Sequence, residues 1–482
     1  MADTKRVAVT TLGCKVNQYD SEAMLARFRR AGYEVVDFQA PADVYIVNTC
    51  TVTGRGAAKS RQLIRNAVRR SPLSVVAVAG CYTQTDPDEV AAIAGVSLII
   101  GNQDRDRVVE LCEQAAGAPE PIRAVNNIWQ AREFEEMTVD TFMGHTRAVV
   151  KIQEGCNIFC TFCIIPYARG KPRSRRPESV VEECRRLAAD GFREVVLTGI
   201  HLGSYGKDYK NEFTLAQVVE QIAQIDGIDR IRLSSLEPKH VSEHLMRLLE
   251  HNPKVCRHLH LSLQSGSQTV LERMKRAYTA QEYREVVQEL RRRIPDIGLT
   301  TDVITGFPGE TEAEHQESMA FIREMGFGRL HVFPFSPRKG TPAATMPNQI
   351  TKAVKERRTH EMIALGSDLA LAFARRFQDQ TLTVLTEEEA DTEEGWLEGY
   401  TDNYIRVRLR GGDELKNCII PVRIAEVDEE ICHGEMAGHP VGPSRRIERP
   451  AFLQPGAPQP VILAKDLEMT VAMPTGEDEP DA

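Results

Sequence analysis

Short apolar runs alternate with amphipathic stretches along the first quarter of the chain. Val7–Leu12, Val44–Asn48, Val75–Ala79 and Leu98–Ile100 have the length and composition of buried strands. Helical periodicity falls between them, over Asp20–Ala31, Gly56–Arg70, Asp86–Ala94 and Asp104–Ala116, with Asp20, Asp86 and Asp104 as predicted N-caps. This alternation predicts a parallel sheet covered by helices. Residues 117–141 hold two early prolines and the acidic residues Glu133, Glu135 and Glu136, which reads as a linker. The alternation then resumes. Ala148–Gln153, Glu194–Thr198, Arg230–Ser234, His258–Gln264, Gly298–Ile304 and Arg329–Phe335 are predicted strands, separated by helices such as Pro177–Asp190 and Ala280–Arg293. Six such units within about 220 residues predict a barrel or partial barrel, whose functional groups sit at the carboxyl ends of the strands. From 381 the period becomes that of short strands: Thr381–Thr386, Gly395–Tyr400, Tyr404–Leu409 and Asn417–Ile424, with Gly411-Gly412-Asp413 at a turn. That pattern predicts a small all-β barrel. Residues 440–482 contain 8 of the 25 prolines and end in GEDEPDA, as a disordered tail does.

Composition narrows the class. A chain of 482 residues has length for roughly three domains. Its 42% hydrophobic and 27% charged residues are ordinary globular usage. No apolar run approaches the ~18–20 residues of a membrane span, and the first residues lack a signal-peptide apolar region, so a cytoplasmic location is expected. The net charge of −9 argues weakly against a nucleic-acid partner, but it conceals local basic clusters. The 11 cysteines are an odd number in a long chain without an export signal, which favours reduced thiols and metal ligation over disulfides.

The sharpest chemical signal is Cys156-Asn-Ile-Phe-Cys160-Thr-Phe-Cys163, directly after the first strand of the second alternating region. Zinc wants a fourth ligand or a second pair, and neither follows at zinc-finger spacing. Three close thiolates suit a [4Fe–4S] cluster with one iron left open for a substrate or cofactor. A second set is dispersed: Cys14, Cys50 and Cys81 each follow a predicted strand of the first sheet. Open parallel sheets bind ligands at that end, so a second three-cysteine cluster is expected there. Cys112, Cys184, Cys256, Cys418 and Cys432 have no such pattern and read as packing residues.

The CX3CX2C spacing with Phe162 before the third cysteine resembles the radical S-adenosylmethionine (SAM) superfamily. That resemblance implies a partial (βα)6 barrel and SAM chelated to the open iron, with electron transfer releasing a 5′-deoxyadenosyl radical. It also implies SAM contacts at strand ends: Phe162, Thr198, Gly199, Ser235, Glu237, Gln264, Ser265 and Gly306, the last in TGFPGE. Beyond the superfamily, TLGCKVNQYDSE (11–22), NTCTVTGRGAAKSRQLIR (48–65), GCYTQ (80–84), CNIFCTFCIIPYARGKPRSR (156–175), LTGIHLGSYG (197–206), ITGFPGET (304–311) and FPFSPRKGTPA (333–343) resemble the radical SAM methylthiotransferases over about residues 6–430. The resemblance implies an α/β architecture: a Rossmann-like parallel N-terminal domain at 1–116, a linker at 117–141 and a radical SAM partial (βα)6 barrel at 142–372. A small all-β TRAM RNA-binding barrel at 373–438 and a Pro-rich acidic tail at 439–482 complete it. It implies two [4Fe–4S] clusters, one on Cys156, Cys160 and Cys163 and a sulfur-donating one on Cys14, Cys50 and Cys81, with SAM as both methyl donor and radical source.

Three features bear on the acceptor. Arg169, Lys171, Arg173, Arg175 and Arg176 place five positive charges in eight residues beside the cysteine loop. Arg55, Lys59, Arg61, Arg65, Arg69 and Arg70 follow one helix. Both suit phosphates. Tyr400, Tyr404, Arg406, Arg408 and Arg410 of the TRAM-like region suit base stacking and phosphate contacts. The cues CKVNQYDSE, NTCTVT and TGIHLGSYG are similar to the branch acting on N6-threonylcarbamoyladenosine-37 of tRNA. The isopentenyladenosine branch has a glutamine-methionine pair where this chain has Lys15-Val16, and the ribosomal-protein aspartate branch differs at Thr51-Val52-Thr53. By this resemblance the partners are a tRNA anticodon stem-loop and an electron donor such as a flavodoxin or ferredoxin, with the enzyme a monomer. Arg169 or Arg175 is the expected partner of the threonine carboxylate, with phosphate as the competing role. An iron–sulfur RNA-binding regulator is the non-enzyme alternative.

Overall fold

The computed structural model describes residues 4–139, 142, 145–387, 395–428 and 431–442. Of the predicted tail, residues 443–482 lie outside the described residues. The first sheet has six parallel strands in the order β2-β1-β3-β4-β5-β6. They are β1 (Arg6–Thr11), β2 (Glu34–Val36), β3 (Val44–Thr49), β4 (Val75–Gly80), β5 (Leu98–Ile100) and β6 (Ile122–Ala124). Both faces are covered, as a parallel sheet requires. Ile46, Ala77 and Leu98 pack on one side with Phe28 of helix α1 (Lys15–Arg30) and Leu111 of α5 (Val108–Ala115). Tyr45, Val47, Val76 and Val78 pack on the other with Ile64 of α2 (Gly54–Arg70).

The differences from the sequence reading are local. Cys14, not Asp20, occupies the N-cap of α1; Asp20 lies inside that helix and is buried. The expected helix at 86–94 shortens to α4 (Pro87–Ala91), and a separate short helix, α3 (Cys81–Thr85), precedes it. Asp86 and Asp104 stand at helix-start positions without a side-chain capping bond. Residues 117–141 do more than link. β6 adds to the edge of β5, and Glu135 and Glu136 hold Arg105 and Arg175. The three-residue strands β2 and β6 are too short to show alternation.

The second region supplies β7 (Arg147–Glu154), β8 (Arg173–Ser174), β9 (Glu194–Gly199), β10 (Arg230–Leu233), β11 (His258–His260), β12 (Gly298–Thr305) and β13 (Arg329–Pro334). Except for the short antiparallel β8, neighbours pair parallel, and bridges Ile231–Val255 and Leu236–Leu261 carry the sheet from β10 to β11. Among the described pairings β13 does not meet β7, so six βα strands form a partial barrel. Its helices are α6 (Ile165–Arg169), α7 (Pro177–Ala189), α8 (Leu215–Ala223), α9 (Glu243–His251), α10 (Gln268–Arg273), α11 (Ala280–Arg293), α12 (Glu312–Met325) and α13 (Lys352–Arg375). Thr214, Thr279 and Thr311 close capping boxes at the starts of α8, α11 and α12. Among the described residues no helix is long and apolar enough to cross a membrane.

The third region is a closed barrel, β14-β15-β16-β18-β17, with β14 (Thr381–Thr386), β15 (Trp396–Thr401), β16 (Arg406–Arg410), β17 (Ile419–Val427) and β18 (Cys432–Met436). It docks on the amino ends of the central strands. Arg230 at the start of β10 donates to the Tyr400 carbonyl at 2.8 Å, and Arg257, just before β11, pairs with Asp402 at 2.7 Å. Tyr404 stacks on His258 at 4.5 Å and on Tyr400 at 4.8 Å, and Arg147 lies over Tyr400 at 4.9 Å. This corrects the reading of both tyrosines as base-stacking residues: they serve the junction between two barrels, at the end opposite the cysteine loop.

Candidate active site

The cysteines collect at the carboxyl edges of both sheets. Cys14 follows β1, Cys50 follows β3 and Cys81 opens α3 immediately after β4. The backbone that delivers them is constrained by close approach. A side chain at Gly80 (φ 102°) would stand 2.6 Å from the Thr49 carbonyl, so only glycine lets β4 lie against the Cys50 loop. A side chain at Gly155 (φ 78°), before Cys156, would stand 2.0 Å from the Lys171 carbonyl. Asn17 ties the first two cysteine loops together, donating to the Leu12 carbonyl at 2.6 Å and the Thr49 carbonyl at 2.9 Å. Ser60 of α2 donates to the Cys50 carbonyl at 3.2 Å.

The second cysteine loop folds on itself. The Cys163 amide donates to the Cys160 carbonyl at 3.0 Å, and the Cys156 amide to the Gly170 carbonyl at 2.9 Å. The two loops are brought close because α6, which follows Cys163, packs on α3, which begins at Cys81, and Arg169 of α6 reaches Cys81. Burial pushes the Cys50 and Cys163 thiols up to about 12 and Cys156 to about 11, with neighbouring thiols of the same set adding to the effect. These thiols therefore become thiolates only with a cation beside them. Each set has a buried guanidinium in contact: Arg169 Nε donates to Cys81 Sγ at 3.2 Å, and Arg276 Nη1 to Cys160 Sγ at 3.0 Å.

Arg169 is the hub of a buried ion network that joins the two sheets. Its Nη1 donates to Asp20 at 2.9 Å and Glu154 at 2.7 Å, and its Nη2 donates to Asn17. Arg105 and Lys151 complete the network around the same two carboxylates. Burial alone raises the pKa of both carboxyls, but the cations outweigh it: Asp20 is held below its usual value and Glu154 well below. Arg175 is equally buried and bonded to Glu183 at 2.7 Å and Glu136 at 2.9 Å. Arg173 is also buried. The segment 169–176 is thus corrected from an exposed basic loop: three of its five cations face inward, and only Lys171 and Arg176 are exposed. Arg175 is closed off from any carboxylate or phosphate brought by a substrate. On α2 the basic face stays outward at Arg55, Arg65, Arg69 and Arg70, with Lys59 and Arg61 half-buried.

The strand-end residues line the central barrel's mouth. Thr198 and Gly199 end β9, where a side chain at Gly199 would stand 2.8 Å from Gln153 Cβ. Ser235 bonds Ser262 at 2.6 Å, and the Ser265 hydroxyl accepts from the Ser267 amide. Gln264 takes positive φ (73°) between β11 and β12. Phe162 is half-buried beside Phe307 and Phe335. Gly306 faces Lys355, whose Cγ lies 2.5 Å from where a side chain would begin, while its amide and that of Phe307 donate to Glu310. Glu237 pairs with Arg276 at 2.9 Å, and it gathers His201 and His240 so that their ligand atoms lie within 4.8 Å of one another. Burial holds His201 down at about 4 and His240 at about 3, so both are neutral at pH 7. Lys207 donates to His240 at 2.9 Å, and Lys239 stands 3.6 Å from Glu237. With Arg276, these cations give the pocket a positive surplus that disfavours a metal ion. The buried Glu237 Oε2 and His201 Nδ1 have no hydrogen-bond partner among the described residues, Glu237 Oε2 being held by charge to Lys239.

Sequence reasoning missed Arg276, Asp20, Glu154 and His240. Arg276 and His240 stand in no motif, and the carboxylates are separated from Arg169 by up to 149 residues. The segment FPFSPRKGTPA meets the first sheet: Ser336 accepts from the Gly54 amide at 3.1 Å, and Arg338 donates to Thr51 at 2.6 Å.

Comparison with known proteins agrees with this layout. Residues 150–322 match the radical SAM superfamily model, and residues 6–101 match that of the uncharacterized protein family UPF0004. The chain is 46% identical over 87% of its length to the threonylcarbamoyladenosine tRNA methylthiotransferase MtaB of Bacillus subtilis, covering 93% of that protein. It is 38% identical to the MtaB of Aquifex aeolicus over 85% of this chain and 98% of that one. It is 35% identical to the tRNA-2-methylthio-N(6)-dimethylallyladenosine synthase of Moorella thermoacetica, over 90% of this chain and 98% of that one. Among solved structures, the radical SAM methyltransferase TsrM of Kitasatospora setae shares the fold at TM-score 0.52 and 17% identity, over 71% of this chain and 77% of that one. The two cysteine sets, the partial barrel and these relatives together place the chain in the radical SAM methylthiotransferase family.

Proposed function

We propose that this protein replaces the C2–H of N6-threonylcarbamoyladenosine-37 in tRNA with a methylthio group, using SAM as methyl donor and radical source. The observation that carries the reading is the packing of α6 on α3, which brings the two cysteine loops close, with one buried guanidinium in contact with a thiol of each. Three thiols beside a fixed cation fit an anionic iron–sulfur cluster in each place, and Glu237, which Lys239 and Arg276 hold by charge, together with the His201 ring, whose nitrogens have no hydrogen-bond partner among the described residues, fits a polar ligand such as SAM. When bound, the clusters and SAM supply sulfur, methyl and radical chemistry. Cys156, Cys160 and Cys163 hold the cluster that serves SAM; Cys14, Cys50 and Cys81 hold the second, from which sulfur comes. Arg169 and Arg276 hold the thiolates ionised. Asn17 and the ion network fix one set against the other, so that the adenine C2 is presented to both.

Two threonylcarbamoyladenosine relatives are 46% and 38% identical and a third 35%, against 35% for the dimethylallyladenosine relative, which supports the former acceptor. In keeping with this reading, the protein works in the cytoplasm as a monomer and takes electrons from a flavodoxin or ferredoxin. The test is nucleoside mass spectrometry of tRNA from cells with and without the protein, paired with cysteine-to-alanine variants. Loss of Cys14, Cys50 and Cys81 abolishes methylthiolation but leaves 5′-deoxyadenosine formation. Fully reconstituted protein holds about eight irons per chain, as two four-iron clusters require. A variant lacking all three N-terminal cysteines that still makes product refutes the sulfur-donor assignment.

A further inference from the structure

We propose that Trp129, Phe159 and Tyr167 form a stacking platform for the unpaired RNA bases beside the reacting adenosine. The inference rests on the tRNA reading above and adds where the anticodon loop is gripped. Among the described residues, six large hydrophobic side chains are exposed, and three of them flank the cysteines: Val52 follows Cys50, Phe159 precedes Cys160, and Tyr167 lies on α6 after Cys163. Phe159 is 39% and Tyr167 41% exposed, beyond what packing of the fold calls for. The rings are ordered rather than scattered. Trp129 stacks on Phe159 with centroids 5.4 Å apart and planes within 10°, and Tyr167 meets Phe159 edge-on at 5.7 Å. Phe159 holds a left-handed backbone (φ 54°), a conformation that costs free energy in a non-glycine residue and is kept where neighbours or function impose it.

The position selects the occupant. Phe159 lies inside the Cys156–Cys163 loop, and Tyr167 is two residues from Arg169, which touches Cys81. Whatever covers these rings therefore stands at the seam between the two cysteine sets. A flat stack of ring faces is continued by another flat ring, and every RNA base has one regardless of sequence. Lys171, exposed in the same segment, supplies a cation for the connecting phosphate. The basic face of α2, which begins four residues after Cys50, extends the same charge outward.

The test uses full-length holoenzyme carrying W396F, which leaves Trp129 as the one remaining tryptophan of two. An anticodon stem-loop RNA containing N6-threonylcarbamoyladenosine at position 37 is titrated in, with dithionite as reductant so that no protein donor takes part. Trp129 emission is expected to change on binding. F159L and Y167L are expected to weaken RNA binding and raise the RNA KM about tenfold or more each, in proportion to the loss of one stacked base. Unmoved Trp129 emission, or an unchanged RNA affinity in both variants, overturns the proposal. A defect that appears only when flavodoxin replaces dithionite also overturns it and assigns the rings to the electron donor. RNA binding with the expected Trp129 change but without methylthiolated product refutes the functional reading instead, and leaves the platform standing.

Discussion

Arg169→Met isolates the group that joins the two halves of the site. The substitution keeps the volume roughly constant and removes the cation that touches Cys81, Asn17, Asp20 and Glu154. Breaking a buried pair by deleting one partner costs about 3–5 kcal/mol, because the remaining charge stays desolvated. Arg105 and Lys151 still reach Asp20 and Glu154, so the expected loss lies at the low end, about 3 kcal/mol. Arg169→Lys keeps the charge but has no planar fork to span Asn17, Cys81 and two carboxylates, and it is expected to recover only part of that loss. Denaturant unfolding under anaerobic conditions measures the stability change. The electron paramagnetic resonance signals of the two proposed clusters, once reduced, supply a second readout. The signal of the Cys14/Cys50/Cys81 cluster is expected to shift in R169M while that of the Cys156/Cys160/Cys163 cluster, whose guanidinium is Arg276, stays in place. Wild-type stability together with wild-type spectra in R169M refutes the claim that this residue ties the sets together.

The converse variant, Arg276→Met, is expected to move only the second signal and to weaken SAM binding through the loss of its 2.9 Å pair with Glu237; calorimetric SAM titration checks it. Folded-state His201 and His240 bind protons only near pH 4 and 3, below the unfolded value of about 6.5, so the unfolded chain takes up protons first and stability falls as pH drops from about 6.5 toward 4. Melting temperatures across that window should show a flatter profile in the H201Q/H240Q double variant; an equally steep one contradicts the assignment. Asp20 and Glu154 act lower, since their depressed values keep their stabilisation in place until pH falls below about 4. Asp402→Ala removes the partner of Arg257 at the barrel–barrel junction and is expected to cost about 1.5–3 kcal/mol. Hydrogen exchange should quicken at His258–His260 and around Tyr404 while the cysteine loops keep wild-type protection.

The regularity of the chain made most of the fold legible. The six parallel strands of the central barrel lie where the sequence predicts them; β7, β9 and β10 are buried along nearly their whole length, as strands covered on both faces are, whereas β13 is half-exposed. Strands at a sheet's margin carried less. β2 and β6 are three residues each and half-exposed, and β18 (Cys432–Met436) interrupts its pattern with His433, Gly434 and Glu435. Residues 117–141 read as a linker because their acidic side chains look solvated. In the folded protein Glu135 and Glu136 have arginine partners, and that pairing is invisible along the sequence.

The same blindness explains what was misjudged at the site. A run of arginines beside a cysteine loop looks alike whether it faces phosphate or buried carboxylates. The deciding groups, Asp20, Glu154 and Glu183, lie in other elements. The cysteines stand out along the chain because each of Cys14, Cys81 and Cys156 lies within three residues of a strand's end and is preceded by a glycine with positive φ, so position along the chain implies position in space. The two kinds of signal meet at α6. Its sequence, Ile-Pro-Tyr-Ala-Arg, turns Tyr167 outward and Arg169 inward within one helical turn. The inward residue touches Cys81 and the buried carboxylates, and the outward one is left bare beside the cysteine loop, where the proposed substrate would arrive. Under the proposed function, a short helix that both fastens a buried charge network and exposes a ring couples substrate contact to the geometry of the site. This is why its substitutions should separate into two classes, those that unsettle the clusters and those that loosen only the RNA.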